Sequence, residues 1–183
     1  NQRTMKYHIL HPALQNKIRQ SLEKIEGEIS ILDSKSTTVD YRIKIFKHGN
    51  AVAVTQYKNG TLLLQGKNGL LFSDCCDIIE KTATPSKNEI ISRFVPDEII
   101  LPLTDESIGE AEENLSTKIG DVYNYLEPHD RNWFISSEFL CSLNLPLPEY
   151  SPLVMPASKA FEGFCKKIVV DLGLYETNHF KKK

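Results

Sequence analysis

The sequence lacks the features that mark several large classes of protein. No apolar run approaches the ~20 residues that a membrane-spanning helix needs, and no apolar stretch follows a basic start as in a signal peptide. The 183 residues carry a formal net charge of −2, so there is no overall excess of positive charge of the kind found in strongly basic nucleic-acid-binding proteins. We therefore expect a soluble cytoplasmic protein that makes no membrane contact.

Cysteine is scarce and standard active-site motifs are missing. The four cysteines form no C-x-x-C pair that would indicate zinc, and the adjacent Cys75 and Cys76 cannot easily bridge each other. All four lie among apolar residues, which predicts buried free thiols in a reducing compartment. The phosphate-binding loop, the H-E-x-x-H pattern and the nucleophile elbow are also absent.

The first part of the chain predicts a compact α+β domain. Apolar residues recur at helical spacing between His11 and Gly27. Alternating patterns then predict four strands, over residues 28–33, 38–48, 50–57 and 61–66. Two of their joints contain Gly-Asn or Asn-Gly, which suit tight hairpins, and a second helix follows over about 69–82. The prediction is a four-stranded antiparallel meander with flanking helices, at residues 8–84.

The remainder, residues 87–183, is predicted to be mainly helical. An extended piece over about 90–103 leads into helices over 105–126 and 133–143. Between residues 145 and 156 the sequence carries four prolines, which predicts an extended link because proline disrupts a regular helix. A last helix is predicted from Pro156 to about Gly173.

One strand of the meander carries a candidate nucleic-acid-binding site. Opposite its apolar face, the strand over 38–48 presents Arg42, Lys44, Phe46 and His48. Positive charge mixed with aromatic rings binds nucleic acid through phosphate contacts and base stacking. Lys67, in a predicted turn before the second helix, adds a charge that could meet the same backbone. The alternative interpretation is a solvated face without a ligand.

A second candidate lies at the start of the chain, where Arg3 and His8 are separated by four residues. In a helix, that spacing would put both side chains on one face, where they could contact a scissile phosphate. The pattern is short and arises easily by chance.

The last predicted helix contains an unusual Glu162-Gly163 step. Its apolar stripe is predicted to consist of Phe161, Phe164, Cys165, Ile168 and Val169. Lys159 and Glu162 are three residues apart, so they are neighbours on one face and predict a structural salt bridge. Gly163 would permit the close approach of another backbone.

From Ser136 to Leu174 the chain resembles the segment that enters the C-terminal domain of the ribonuclease LS (RnlA/LsoA-type) toxins. The matching features are a short apolar helix, the linker LPEY, and a proline before a helix that contains Glu-Gly and ends in Leu-Gly-Leu. The strand TLLLQG and the helix after it also resemble the TATA-box-binding-protein-like repeats of those toxins. The toxins are the endoribonuclease halves of bacterial toxin–antitoxin pairs used against phage.

The resemblance implies a helical, dimeric ribonuclease domain of the HEPN class, whose site needs neither metal nor cofactor. Glu162 matches the family's glutamate, and Lys159 stands where the family has arginine, which keeps the charge but loses the bidentate fork. The family's later arginine–x4–histidine pair has no counterpart after Gly173. We therefore expect either a partial chain, as its first residue Asn1 also indicates, or a homologue without its own nuclease.

Taken together, these features predict the RNA-targeting and regulatory part of an RnlA-like endoribonuclease toxin. The implied partners are RNA, an antitoxin protein and a second copy of the chain. With a complete site, the 2′-OH would attack the adjacent phosphate, a histidine would act as general acid and base, and Lys159 would stabilise the developing charge. The alternatives are a non-catalytic nucleic-acid- or protein-binding module of a larger defence complex, and a scaffold that only dimerises.

Overall fold

The computed structural model describes residues 2–33, 35–95, 99–145 and 150–177. The chain forms two compact units, Asn1–Pro85 and Ser86–Lys183, and each has a buried apolar core of its own. Over the described ranges, no helix combines the length and the apolar character that crossing a membrane requires.

The first unit is an antiparallel sheet with two helices packed on one face. Its elements are β1 (Gln2–His8), α1 (Pro12–Leu22), β2 (Glu28–Ile31), β3 (Val39–Lys47), β4 (Asn50–Tyr57), β5 (Thr61–Lys67) and α2 (Leu70–Ala83). The strands lie in the order β1-β5-β4-β3-β2. The predicted α+β class and antiparallel arrangement are confirmed, but the sheet has five strands where the sequence predicts four.

The additional strand is β1, at the edge of the sheet. It pairs antiparallel with β5 along its whole length, with Gln2 opposite Lys67. Met5 and Tyr7 enter the core. Successive side chains of a strand point to opposite faces, so Arg3 and His8, five residues apart, lie on different faces. The pairing of these two residues on one helical face is therefore wrong.

Alternation along the strands decides which face of the sheet is buried. On β3, Tyr41, Ile43 and Ile45 are buried against the helices. The helices contribute Ile18, Leu22, Leu71, Phe72, Cys75, Cys76 and Ile79 to the same core. Because α1 and α2 both pack on this side, most side chains on the other face are exposed or half-buried. We call that other side the open face.

The second unit is built from helices. They are α3 (Lys87–Arg93), α4 (Asp105–Ile119), α5 (Val122–Tyr125), α6 (Pro128–Ser142) and α7 (Ser151–Asp171). Trp133, Ile135, Phe139 and Leu140 of α6 lie at the centre of its core. The mainly helical character that the sequence predicts for this part is confirmed.

Two predictions about the start of this unit are wrong. Residues predicted to begin an extended piece belong to α3, where Ser86 and Glu89 form a capping box that fixes the first turn. The single helix predicted over 105–126 is divided between α4 and α5. Gly120, with φ of 56°, ends α4, because this left-handed conformation cannot continue a helix.

The predicted extended link before the last helix is also partly wrong, because α7 begins at Ser151. Pro152 lies in its first turn, where the missing N–H costs no helical hydrogen bond. Pro156 is buried inside the helix and removes one bond, to the carbonyl of that first turn. Residues 146–149, which include most of the LPEY linker, lie outside the described residues.

The four cysteines divide into two kinds. Cys75 and Cys76 are buried in the core of the first unit, as predicted. Cys141 and Cys165 are exposed, so the prediction of buried thiols is wrong for them. An apolar neighbourhood in sequence does not reveal which side of a helix faces the core. Among the residues described, no group of three or more His, Cys, Asp or Glu could hold a metal ion.

Candidate functional site

The open face consists of rows of side chains that run across the strands. Residues directly opposite each other in an antiparallel pair share a face, so the register defines each row. One row consists of Thr4, Gln65, Ala53, Lys44 and Ser30. A second consists of Lys6, Leu63, Thr55 and Arg42. A third contains Ala51, Phe46 and Glu28.

The structure places three of the predicted nucleic-acid-binding residues side by side on β3. Arg42 is exposed, and Lys44 and Phe46 are half-buried. The Lys44 ammonium nitrogen lies 4.8 Å from the centroid of the Phe46 ring, within the range of a cation–π interaction. His48 does not share their strand: it lies in the β3–β4 turn with φ of 49°.

Lys67 and Lys6 add positive charge on the far side of the open face. Lys67 is exposed at the end of β5 and belongs to that strand rather than to the predicted turn. Lys6 is exposed on β1, in the row of Arg42. Sequence reasoning missed Lys6, although its alternation with the apolar Met5 and Tyr7 was a signal that could have identified the strand.

The centre of the open face is shallow. The middle strand β4 contributes the small residues Ala51, Ala53 and Thr55 to it. Since neighbouring strands are about 4.8 Å apart, the side chains of β3 and β5 stand about 10 Å apart on either side. We call the strip of the open face along β4, between these side chains, the channel; Arg42 and Lys44 lie on one side of it and Lys67 on the other.

A pocket of about 490 Å³ lies at one end of this face, between the α1–β2 connection and the β3–β4 turn. Its lining consists of Glu26, Gly27, Glu28, Phe46, Lys47, His48 and Gly49. A Cβ on Gly27 would lie 2.3 Å from the carbonyl oxygen of Phe46, so only glycine allows this close approach. The pocket combines an aromatic ring, two carboxylates and two basic side chains. Sequence reasoning missed both carboxylates, since neither stands in a recognisable motif.

The two predicted catalytic residues lie on α7 with different surroundings. Lys159 is half-buried, and its ammonium nitrogen lies 5.9 Å from the centroid of the Trp133 ring. Glu162 is exposed and forms an ion pair with Lys166, one turn further along the helix. The lysine is therefore directed at α6, while the glutamate is paired along α7.

Trp133 also contacts a histidine that sequence reasoning missed. The His129 ring lies edge-on to it, with centroids 5.5 Å apart. His129 Nε2 is 3.4 Å from Oδ1 of Asp130, whose side chain is buried. His129 and Lys159 thus both approach Trp133. No motif spacing pointed to His129, because it is brought near Lys159 only by the packing of α6 on α7.

The outer side of α7 and its C-terminal cap carry a row of mostly apolar residues, which we call the outer stripe. It consists of Val154, Ser158, Phe161, Cys165, Ile168 and Leu172, which follow one another at spacings of four and three residues. Phe161 is 59% exposed, and Cys165 is also exposed. The residues buried on α7 are instead Pro156 and Ala160.

Comparison with known proteins gives a family match in the first unit. Residues 13–83 match a family model described as RNase LS, bacterial toxin. The resemblance to the ribonuclease LS toxins is therefore confirmed, on the span from α1 to α2. It does not rest on residues 136–174, where the sequence motifs are most specific. No curated protein sequence matches the chain.

Among solved structures, the Escherichia coli toxin LsoA, determined in complex with the T4 phage antitoxin Dmd, is similar at 16% sequence identity and a TM-score of 0.44. The comparison covers 92% of this chain and 64% of the LsoA chain. This chain therefore spans less than two thirds of the length of LsoA.

Proposed function

Because this chain is a relative of the bacterial ribonuclease LS toxins through residues 13–83, we propose that it is the RNA-targeting and regulatory part of an endoribonuclease toxin that acts in defence against phage. The first unit binds the RNA on its open face. The second unit contributes Lys159 and Glu162 to a metal-independent cleavage site.

The observation that carries RNA binding is the arrangement of charge on the open face. Arg42 and Lys44 lie in adjacent rows on β3, and Lys67 lies across the channel on β5. Basic side chains on both sides of the channel can hold the phosphates of one RNA strand, while Phe46 offers a ring on which a base stacks. The acidic residues of the chain do not prevent this, because local patches decide binding.

The resemblance to the ribonuclease LS toxins assigns cleavage to Lys159 and Glu162 on α7. The surroundings of each side chain support a limited role for it. Lys159 keeps its ammonium group beside Trp133, where it stabilises the negative charge that develops on the phosphate. Glu162 already pairs with Lys166, so it orients basic groups rather than removing a proton. His129, beside the same tryptophan, is positioned to serve as acid or base.

Two protein partners belong to this proposal. An antitoxin protein that inhibits the toxin is the partner expected of the family. A second copy of the chain is the partner that fits the outer stripe, since mostly apolar residues repeating at four and three residues on the outer side of a helix form the seam of paired helices. A patch of this kind marks an interaction site.

The test of RNA binding is filter binding of single-stranded RNA over a range of salt concentrations. Arg42→Ala, Lys44→Ala and Lys67→Ala should each weaken binding and lower the salt dependence, by about 0.7 in slope for each phosphate that the variant no longer neutralises. Lys17→Ala is the matched control, because Lys17 is an exposed lysine on α1, the helical side of the sheet. If the wild-type protein binds no RNA at low salt, the protein-binding module becomes the better interpretation, and the exposed outer stripe favours it.

A further inference from the structure

We propose that the pocket beside the β3–β4 turn binds one unpaired nucleobase that carries an exocyclic amino group. This inference rests on the proposed function, because it takes a nucleic-acid strand to lie on the open face. It adds to that function a preference among bases, which phosphate contacts cannot provide.

The position of Phe46 makes it the stacking surface. Phe46 is half-buried, its side chain stands on the open face, and the residue is part of the pocket lining. Ala51 is its direct partner on β4, so the side chain beside the ring on that strand is only a methyl group. A base entering from the channel can stack on the ring and displace Lys44 from it. The Lys44 ammonium group is then available to a phosphate of the same strand.

The carboxylates select the base. Glu28 is the direct partner of Phe46 on β2, so their side chains share the open face with Cβ atoms about 5 Å apart. A carboxylate at the edge of a stacked base accepts hydrogen bonds from an amino group, such as N4 of cytosine. Glu26, which also lines the pocket, offers a second acceptor. Uracil lacks the amino donor and presents a carbonyl oxygen there, which a carboxylate repels.

The geometry excludes a base that is already paired. In a duplex both faces of each base are stacked and its amino group is engaged with the partner strand, so neither Phe46 nor Glu28 could reach it. The channel is also only one β-strand wide, which is too narrow for a duplex. Lys47 and His48, which also line the pocket, supply positive charge for the phosphate next to the bound base.

The experiment compares the binding of oligocytidine and oligouridine by fluorescence anisotropy at neutral pH. Both are flexible pyrimidine strands, taken at about 12 nucleotides, within the length that one single-strand-binding fold covers. The wild-type protein should bind oligocytidine about five-fold or more tightly than oligouridine. Glu28→Gln should abolish that ratio, because an amide both donates and accepts. Phe46→Leu should weaken the binding of both strands about five-fold or more.

Removing a carboxylate also strengthens RNA binding in general, so the ratio of the two affinities is the measured quantity. Glu23→Gln is the matched control: Glu23 pairs with Arg19 at 2.9 Å, outside the pocket lining, and its loss should leave the ratio unchanged. Equal binding of the two strands by the wild type, or an unchanged ratio in Glu28→Gln, overturns the base pocket. If Arg42→Ala still weakens both strands in that case, the proposed function stands. Absence of binding to either strand overturns both.

Discussion

Gly163 on α7 lies directly against the buried carboxylate of Asp130 on α6. A Cβ at position 163 would be 2.2 Å from Oδ1 and 2.5 Å from Cγ of that carboxylate. Asp130 is only 1% exposed. The glycine that interrupts the sequence of the last helix is therefore explained by a side chain that it accommodates, and not by the close approach of another backbone that the sequence suggests.

Gly163→Ala should destabilise the second unit. An added methyl group would overlap all three carboxyl atoms of Asp130, and this short side chain has little room to move between two packed helices. We expect a loss of about 1–3 kcal/mol in the free energy of unfolding, typical of an overpacked interior. Denaturation by urea, followed by circular dichroism, measures it.

The control is Gly109→Ala on α4. Gly109 is exposed, and a Cβ there meets nothing within 4 Å. In that position alanine should stabilise the helix by up to about 1 kcal/mol, through its higher helix propensity. Stabilisation by both substitutions would show that Asp130 does not occupy the space next to residue 163.

The hydrogen-bonded carboxyl group of Glu112 should make the stability of the second unit depend on pH in the acidic range. Burial tends to raise the pKa of the Glu112 carboxyl, but hydrogen bonds from Lys87 and Tyr123 outweigh this effect and hold the pKa below its usual value. Burial and the same hydrogen bond raise the pKa of Tyr123 to about 12. The tyrosine therefore remains a donor throughout the acid and neutral range.

The sign follows from the lowered pKa. A carboxyl that is more acidic in the folded state stabilises the fold above its unfolded pKa of about 4.3 and loses this contribution as the pH falls through the folded value. Glu112→Gln should thus be less stable than the wild type at pH 7, and the difference should shrink as the pH falls below about 4. Unfolding curves across this range test it. Glu113→Gln, at the exposed neighbouring position, should keep the wild-type profile.

The sheet is largely predictable from the sequence because one of its faces is buried. Along β3, the apolar residues Tyr41, Ile43 and Ile45 alternate with Arg42 and Lys44, and a period of two in a strand fixes which side chains reach the open face. The pocket could not be predicted in this way. Glu28 lies beside Phe46 only because β2 pairs with β3, and the sequence of either strand alone does not predict that register.

Apolar periodicity on α7 predicts a helix but not the face that packs inside the unit. It marks Phe161 and Cys165 as one stripe, and both are exposed. The inner face instead consists of small residues such as Ala160 and Gly163, which let α7 approach α6 closely. A hydrophobic pattern shows only which residues share a face. When two sides of one helix carry apolar residues, the pattern does not show which of the two is buried.

The catalytic assignment predicts a specific response at residue 159. Lys159→Ala should lower RNA cleavage about 100-fold or more, as expected when one charge-stabilising donor is removed. Lys159→Arg should retain activity, since arginine is the family's residue and binds phosphate with two hydrogen bonds. Cleavage of labelled RNA in the presence of a chelator measures the effect and checks that no metal is required.

The matched control for this site is Lys118→Ala, which breaks the exposed Lys118–Glu138 ion pair at 2.5 Å elsewhere in the same unit. It should leave cleavage unchanged. Undiminished cleavage by the double variant Lys159→Ala/Glu162→Ala would remove both residues from the mechanism. A loss of cleavage in Lys159→Ala through misfolding would appear as a lowered melting temperature, which Lys159→Arg should not share.

The outer stripe of α7 predicts self-association through that helix. Phe161→Glu places a charge in the middle of the seam, where pairing with a second copy would bury it at a large cost. The variant should therefore be monomeric under conditions in which the wild type is dimeric, as measured by light scattering after size-exclusion chromatography.

Ser158→Leu should strengthen the dimer, because it replaces the one polar side chain of the stripe with an apolar one. Ile100→Glu, at a residue that is 96% exposed outside the helices, makes the same chemical change and should leave the dimer intact. A wild-type protein that stays monomeric at high concentration would instead assign the stripe to a different partner.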